Sequence, residues 1–279
     1  MPKPSPTAKK GFFRTIFGAP FGASQDAGSR MGTEIGLDLL WLANNKAEMK
    51  RQIPVLVFGT DNFHRLSDVG FNCMLVDKRP SVANNNHPRS LFMNKFVAFS
   101  VAMDMYDEAV FLDLDCEQTA ELPADFWEKH GEKSSFQAPL VGYYRNRGTF
   151  WRPEHLSLVS IYGCYVYMRG KEIAKMMMDN CDSMLKQYPD ALLDDEIAMD
   201  KMIDDLEGGW NGTAAYSKNH MPEYFVGQFR PVGFETNKDV FVHYESPRAR
   251  KRQLARKGKY PMKYPFVGDA PDVTPREEA

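Results

Sequence analysis

The chain has 279 residues, 43% hydrophobic and 26% charged, with a formal net charge of −2. That is an ordinary globular composition, long enough for one large domain or two small ones around a real core. No stretch approaches the ~18 apolar residues of a transmembrane helix, and the N-terminus lacks the apolar core of a signal peptide.

In chain order, "MPKPSPTAKK" reads as a disordered arm over residues 1–10. Phe12–Phe17 is predicted as a strand, and Gly18–Arg30 as a Gly/Ala/Ser loop. Thr33–Met49 carries Ile35, Leu39, Leu40, Leu42 and Ala43 at a helical period. Pro54–Phe58 is an apolar run that stops at Gly59-Thr60-Asp61 and reads as a buried parallel strand. A short helix over Asn62–Val69 and a strand over Phe71–Val76 follow. Arg89–Met105 is predicted helical, with Leu91, Phe92, Phe96, Phe99 and Met103 on one side. Ala109–Leu112 is then the fourth strand, and it ends in Asp113-Leu114-Asp115.

This alternation of strand and helix predicts a doubly wound, mostly parallel sheet. Such sheets bind ligands outside the carboxyl ends of their strands. The Gly18–Arg30 loop, Asp61 and the Asp113/Asp115 pair all fall at such ends.

Beyond Asp115, "PADFWEKHGEKSS" is a short helix and surface loop, followed by an aromatic and basic stretch over residues 135–156. Ser160–Met168 reads as one strand with Gly163 inside it, and Gly170–Tyr188 as a helix. "LLDDEIAMDKMI" opens another helix with acids in its first turn, which suits the positive end of the helix dipole. Phe241–Val242 is a last short strand ending at His243. The domain would span 11–247, its halves 11–120 and 121–247, with a basic tail over 248–279. Cys73, Cys116, Cys164 and Cys181 lack C-x-x-C spacing, so reduced, packed thiols in a cytoplasmic protein are expected.

Two carboxylates on one face of a strand end repel unless a cation or proton lies between them. A hard divalent ion, Mg²⁺ or Mn²⁺, favours such oxygen ligands and leaves positions for phosphate oxygens. The bland alternative is a pair of solvated loop acids. His64, His87, His130, His155 and His220 have no ligand-like spacing and are expected to be structural or superficial.

"AVFLDLDCEQTAEL" resembles the D-x-D element of GT-A fold nucleotide-sugar glycosyltransferases, in particular the group of glycogenin and the bacterial lipopolysaccharide galactosyltransferases. "YGCYVYMRGKE", "LLDDEIAMDKMI" and "FVHYESPRARKR" are similar to later elements of that group, in order, across roughly Phe12–Arg252. The Gly and Lys-Pro-Trp that usually follow the late His are absent; Arg248, Arg250 and Lys251 are candidate substitutes. The resemblance implies a GT-A, Rossmann-like single domain with D-x-D at the end of the fourth strand. It implies that Asp113, Asp115 and His243 bind Mn²⁺ (or Mg²⁺), which bridges a nucleoside-diphosphate sugar. Asp61 and the loop beginning Gly18-Ala19 would hold base and ribose; Arg89 and Lys95 would lie near the donor, as would Arg248, Arg250 and Lys251. Asp194 or Asp195 would contact the sugar or act on the acceptor hydroxyl.

Two rivals compete with this reading. Phosphatases of the haloacid-dehalogenase type also end a strand in D-x-D, but Gly and Thr usually follow, where Cys116 and Glu117 stand here. A non-catalytic nucleic-acid-binding protein would use the basic segment, yet it gives no reason for paired carboxylates at a switch point.

That segment holds eight cations from Arg248 to Lys263 with no acid among them, leaving the rest of the chain at −10. Tyr244, Tyr260, Tyr264 and Phe266 are interleaved. It predicts a polyanionic acceptor: a hydroxymethylated base in phage DNA, slightly favoured over an anionic glycolipid at a membrane surface.

Overall fold

The computed structural model describes residues 8–16, 53–68, 70–77, 94–114, 116–118, 120–142, 160–161, 163–187, 195, 198–199, 225–226 and 240–243. The predicted helix over Thr33–Met49 and the basic tail lie outside them.

A six-stranded sheet organises the chain. β1 (Lys10–Ile16) runs through its middle. On one side it pairs in parallel with β2 (Val55–Val57), which pairs in parallel with β3 (Cys73–Leu75). On the other side β1 pairs in parallel with β4 (Glu108–Leu112). Two antiparallel strands complete the sheet, β9 (Tyr165–Arg169) against β4 and β6 (Phe136–Gln137) against β9. The expected mostly parallel sheet is present, with Asp113 directly after the fourth strand.

β1 starts at Lys10 and not at Phe12. The start is held by backbone bonds: the amides of Asp107 and Glu108 donate to the Lys9 carbonyl at 2.8 and 3.2 Å. The Lys9 amide donates to the Asp107 carboxylate at 2.8 Å. Lys10 also pairs with buried Glu108 at 3.4 Å.

Four helices are described with both ends: α1 (Thr60–Asp68), α2 (Asn94–Met105), α3 (Phe126–Gly131) and α4 (Lys171–Gln187). α2 and α4 cover one face of the sheet. There Phe96, Phe99, Ala102 and Met103 meet Phe13, Phe111, Val166 and Met168, with Ile173, Ala174 and Met177 of α4. α3 and a three-stranded sheet cover the opposite face. That small sheet comprises β10 (Phe225–Val226), β11 (Phe241–His243) and β5 (Cys116–Gln118). β7 (Leu140–Gly142) and β8 (Ser160–Ile161) form a separate pair. No helix among the described residues is long and apolar enough to cross a membrane.

The strand order β3-β2-β1-β4 fixes where a ligand can sit. The chain moves outward in one direction from β1 to β3, then returns to place β4 on the other flank of β1. A crevice opens at such a reversal, at the carboxyl ends of β1 and β4.

Candidate active site

Asp113 stands at that reversal. Its amide donates to the Cys164 carbonyl at 2.8 Å, and the Cys116 amide donates back to the Asp113 carbonyl at 3.0 Å. This i to i+3 bond closes a four-residue turn over positions 113–116. As expected, the strand ends at Leu112 and the aspartates come directly after it, Asp113 accepting the Cys116 amide bond at its carbonyl. The Asp113 side chain is one-third exposed. Asp115 falls inside the same stretch and outside the described residues.

Lys95 comes to Asp113 from the first turn of α2. That helix runs back across the sheet before β4, so its N-terminal end lies at the carboxyl edge of the strands. Buried Lys95 places Nζ 2.6 Å from Asp195 Oδ2 and 4.0 Å from Asp113 Oδ2. The same ammonium donates to the Gly163 carbonyl at 3.2 Å and lies 5.3 Å from the centre of the Phe111 ring. A buried ammonium needs such partners, because desolvation costs several kcal/mol per ion in real proteins. Asp195 is only 4% exposed. It is helical, as are Ala198 and Met199, and both of these belong to the main core. Lys95, Asp113 and Asp195 thus converge, with Lys95 and Asp195 separated by 100 positions in sequence.

Gly163 closes the floor. The single strand expected over Ser160–Met168 is broken here: β8 joins β7, and β9 joins the central sheet. The carbonyls of Gly163 and Cys164 turn into the site instead of a ladder, one to Lys95 and the other to the Asp113 amide. A Cβ at Gly163 would lie 2.6 Å from Asp195 Oδ2, 2.7 Å from Met199 Cε and 3.4 Å from Lys95 Nζ. Gly163→Ala should therefore spread the Lys95–Asp195 pair. Thermal unfolding should show a loss of about 1–3 kcal/mol, in the range of overpacking.

The third flank is set by strand register. β11 pairs antiparallel with β5, with Phe241 opposite Gln118, position 242 opposite 117, and His243 opposite Cys116. The backbone of His243 is thereby held beside the aspartate turn. Phe241 anchors β11 against the sheet: its ring centroid lies 5.4 Å from Phe12, 5.6 Å from Tyr165 and 6.1 Å from Phe126. Such aromatic pairs contribute about 0.5–1.5 kcal/mol each beyond their burial. The strand runs one residue further than expected, through His243.

Asp61 lies in the first turn of α1, just past the carboxyl end of β2. Beside it the Phe58 amide donates to the Ile16 carbonyl at 3.0 Å, tying the ends of β2 and β1 together. Gly59, at φ 95°, makes the tight entry into α1 that a side chain would strain. Gly18, Ala19, Arg89, Asp194, Arg248, Arg250 and Lys251 lie outside the described residues.

One residue of the site was not anticipated. Arg14, fully buried in mid-β1, donates Nη1 to the Asp113 carbonyl at 2.5 Å and Nη2 to the Cys116 carbonyl at 2.8 Å. The available signal was a lone cation inside the apolar run "GFFRTIF". A buried strand tolerates an arginine only where acceptors await it.

Other buried polar groups serve the scaffold. His130 Nδ1 lies 2.9 Å from the Phe126 carbonyl, which can only accept, so Nδ1 carries the proton and Nε2 accepts from Tyr165 Oη at 3.0 Å. Tyr167 donates to the buried Glu108 carboxylate at 2.8 Å. Burial first, and the Glu108 charge second, push its phenol up; desolvation pushes Tyr165 up as well. His64 is exposed on α1. All four cysteines are free, and burial pushes the thiols of Cys73 and Cys181 up to about 12, which suits inert packing.

No family model matches the sequence, and neither does any curated protein. Among solved structures, an active-site mutant of LgtC is similar at 11% identity, with a TM-score of 0.45, over 85% of this chain and 88% of that one. A glycosyltransferase involved in glycosylation of the major capsid of PBCV-1 is similar at 11% identity, with a TM-score of 0.41, over 87% and 97% of the two chains. Mouse xyloside xylosyltransferase 1 gives 13% identity and a TM-score of 0.37, over 71% and 82%.

Proposed function

We propose that the chain is a metal-dependent GT-A glycosyltransferase that moves a sugar from a nucleoside-diphosphate sugar to a hydroxyl acceptor. The observation that carries this is the convergence at one switch point of the Asp113 turn, the buried Lys95–Asp195 pair and the end of β11 at His243. Among the described residues no three His, Cys, Asp or Glu side chains gather around one point. The fit to a metal therefore rests on the turn and the register. Asp113 offers a partly exposed carboxylate, Asp115 lies two residues on, and His243 is held opposite Cys116. Two carboxylates with one imidazole suit Mn²⁺ better than Mg²⁺. Asp113, Asp115 and His243 would hold the ion, which when bound neutralises charge on the leaving diphosphate.

The chain's own groups do the rest. Lys95 fixes Asp195 and steadies Asp113. Asp194 or the fixed Asp195 would contact the sugar or act on the acceptor hydroxyl. Asp61 and the loop from Gly18-Ala19 serve the nucleoside, and Arg89, Arg248, Arg250 and Lys251 serve the phosphates. The basic run from Arg248 to Lys263 supports a polyanionic acceptor, with a hydroxymethylated base in DNA placed ahead of an anionic glycolipid.

A donor screen tests this, run with and without Mn²⁺ against each acceptor class and read by mass spectrometry. The expected result is sugar-nucleotide turnover that EDTA stops and Mn²⁺ restores. Full turnover in excess EDTA would remove the metal from the reading, and phosphate-ester hydrolysis in its place would favour the phosphatase.

A further inference from the structure

The buried arginine under the aspartate turn does more than fill the sheet. We infer that Arg14 is a positioning residue that sets the affinity of the Asp113–Asp115 turn for Mn²⁺. This rests on the metal reading proposed above.

Arg14 projects from the middle of β1, the strand beside β4, on the face it shares with Phe12. Its two terminal nitrogens grip the first and last carbonyls of the four-residue turn, Asp113 at 2.5 Å and Cys116 at 2.8 Å. The span between those carbonyls contains the D-x-D. A guanidinium is a rigid, planar fork, so two bonds from one group fix the separation and orientation of its acceptors. With both carbonyls bonded to Arg14, Asp113 and Cys116 are held at the separation that the Cys116 amide to Asp113 carbonyl bond also requires. The Cys164 carbonyl holds the other side, accepting from the Asp113 amide and the Cys116 thiol at 2.8 and 3.2 Å. Cys116 is in turn opposite His243. One buried cation is thus bonded to both ends of the turn after β4 and, through Cys116, to the strand that pairs with β11.

Groups that orient metal ligands typically change affinity ~10–100-fold when removed. Arg14→Met keeps length and removes both donors; Arg14→Lys keeps the charge and offers a single donor point. Mn²⁺ affinity should be measured by electron paramagnetic resonance titration on the full chain without donor, beside melting temperature. The expected result is ~10–100-fold weaker Mn²⁺ binding in Arg14→Met and an intermediate value in Arg14→Lys. Phe99→Leu, destabilised in the core away from the turn, should bind Mn²⁺ like wild type. If Arg14→Met does not fold, Arg14→Lys carries the test, with faster hydrogen exchange at the Cys116 amide expected alongside the weaker binding. Wild-type Mn²⁺ affinity in a folded Arg14 variant, or an equal loss in Phe99→Leu, would overturn the inference and leave the metal reading standing. Wild-type protein that binds no Mn²⁺ would overturn both.

Discussion

Asp113→Asn should lower sugar-nucleotide turnover by at least ~10²–10³-fold, the usual cost of removing one preorganised electrostatic group, with no loss of fold. The substitution removes charge and not volume. The turn survives it, because the bonds from the Asp113 amide to Cys164 and from the Cys116 amide to Asp113 are both backbone bonds. Lys95 retains its short contact with Asp195 and gives up only the longer one to Asp113 at 4.0 Å. Without metal, the variant should melt close to the wild-type temperature, since the ion pair it gives up is the long one at 4.0 Å to a partly exposed carboxylate. Mn²⁺ separates the two proteins. At a free concentration ~100 times its dissociation constant, a ligand that binds only the folded state adds about 2.7 kcal/mol. Wild type should gain that increment and Asp113→Asn should not. An equal rise in both would take Asp113 out of the metal site. Lost turnover in Asp113→Asn with the Mn²⁺ increment intact would argue for a donor contact instead.

Much of this arrangement is legible in the sequence because burial writes it plainly. Val55–Val57 and Glu108–Leu112 are buried at every position, so they read as runs bounded by polar residues. The aspartate turn, Lys95 and Asp195 all sit where carboxyl-end logic places ligands. Three features were not legible, each for a physical reason. The antiparallel direction of β9 leaves no trace, because Tyr165–Met168 are buried on both faces and show no alternation. The break at Gly163 looks like an interior strand glycine until the Asp195 carboxylate is seen 2.6 Å from where a Cβ would stand. Arg14 was legible only as an anomaly: its acceptors, the carbonyls of Asp113 and Cys116, lie 99 and 102 positions away. Periodicity reports which face is buried and says nothing of a hydrogen bond across a fold.

Lys95→Met should produce the largest loss of stability in the site. It leaves the Asp195 carboxylate at 4% exposure without its cation. Removing one partner of a buried pair costs about 3–5 kcal/mol, because the remaining charge stays desolvated. That is a large share of the ~5–15 kcal/mol that keeps a domain folded, and the melting temperature should drop on the order of 10 °C. The double variant Lys95→Met/Asp195→Leu removes the stranded charge and should recover most of the loss, since apolar replacement of a buried pair is often neutral or better. Turnover discriminates between the two meanings of the pair. If Lys95 and Asp195 only hold the floor, restoring stability should restore turnover. We expect it to stay low in the double variant, because the ammonium 4.0 Å from Asp113 and the charged neighbour of Asp194 are both gone. Asp195→Asn refines the point: it can still accept from Lys95 at the 2.6 Å contact while losing its charge. A stable Asp195→Asn with wild-type turnover would reduce the pair to scaffold. A stable one with depressed turnover would show that the negative charge at position 195, and not merely its hydrogen bond, is what the site requires.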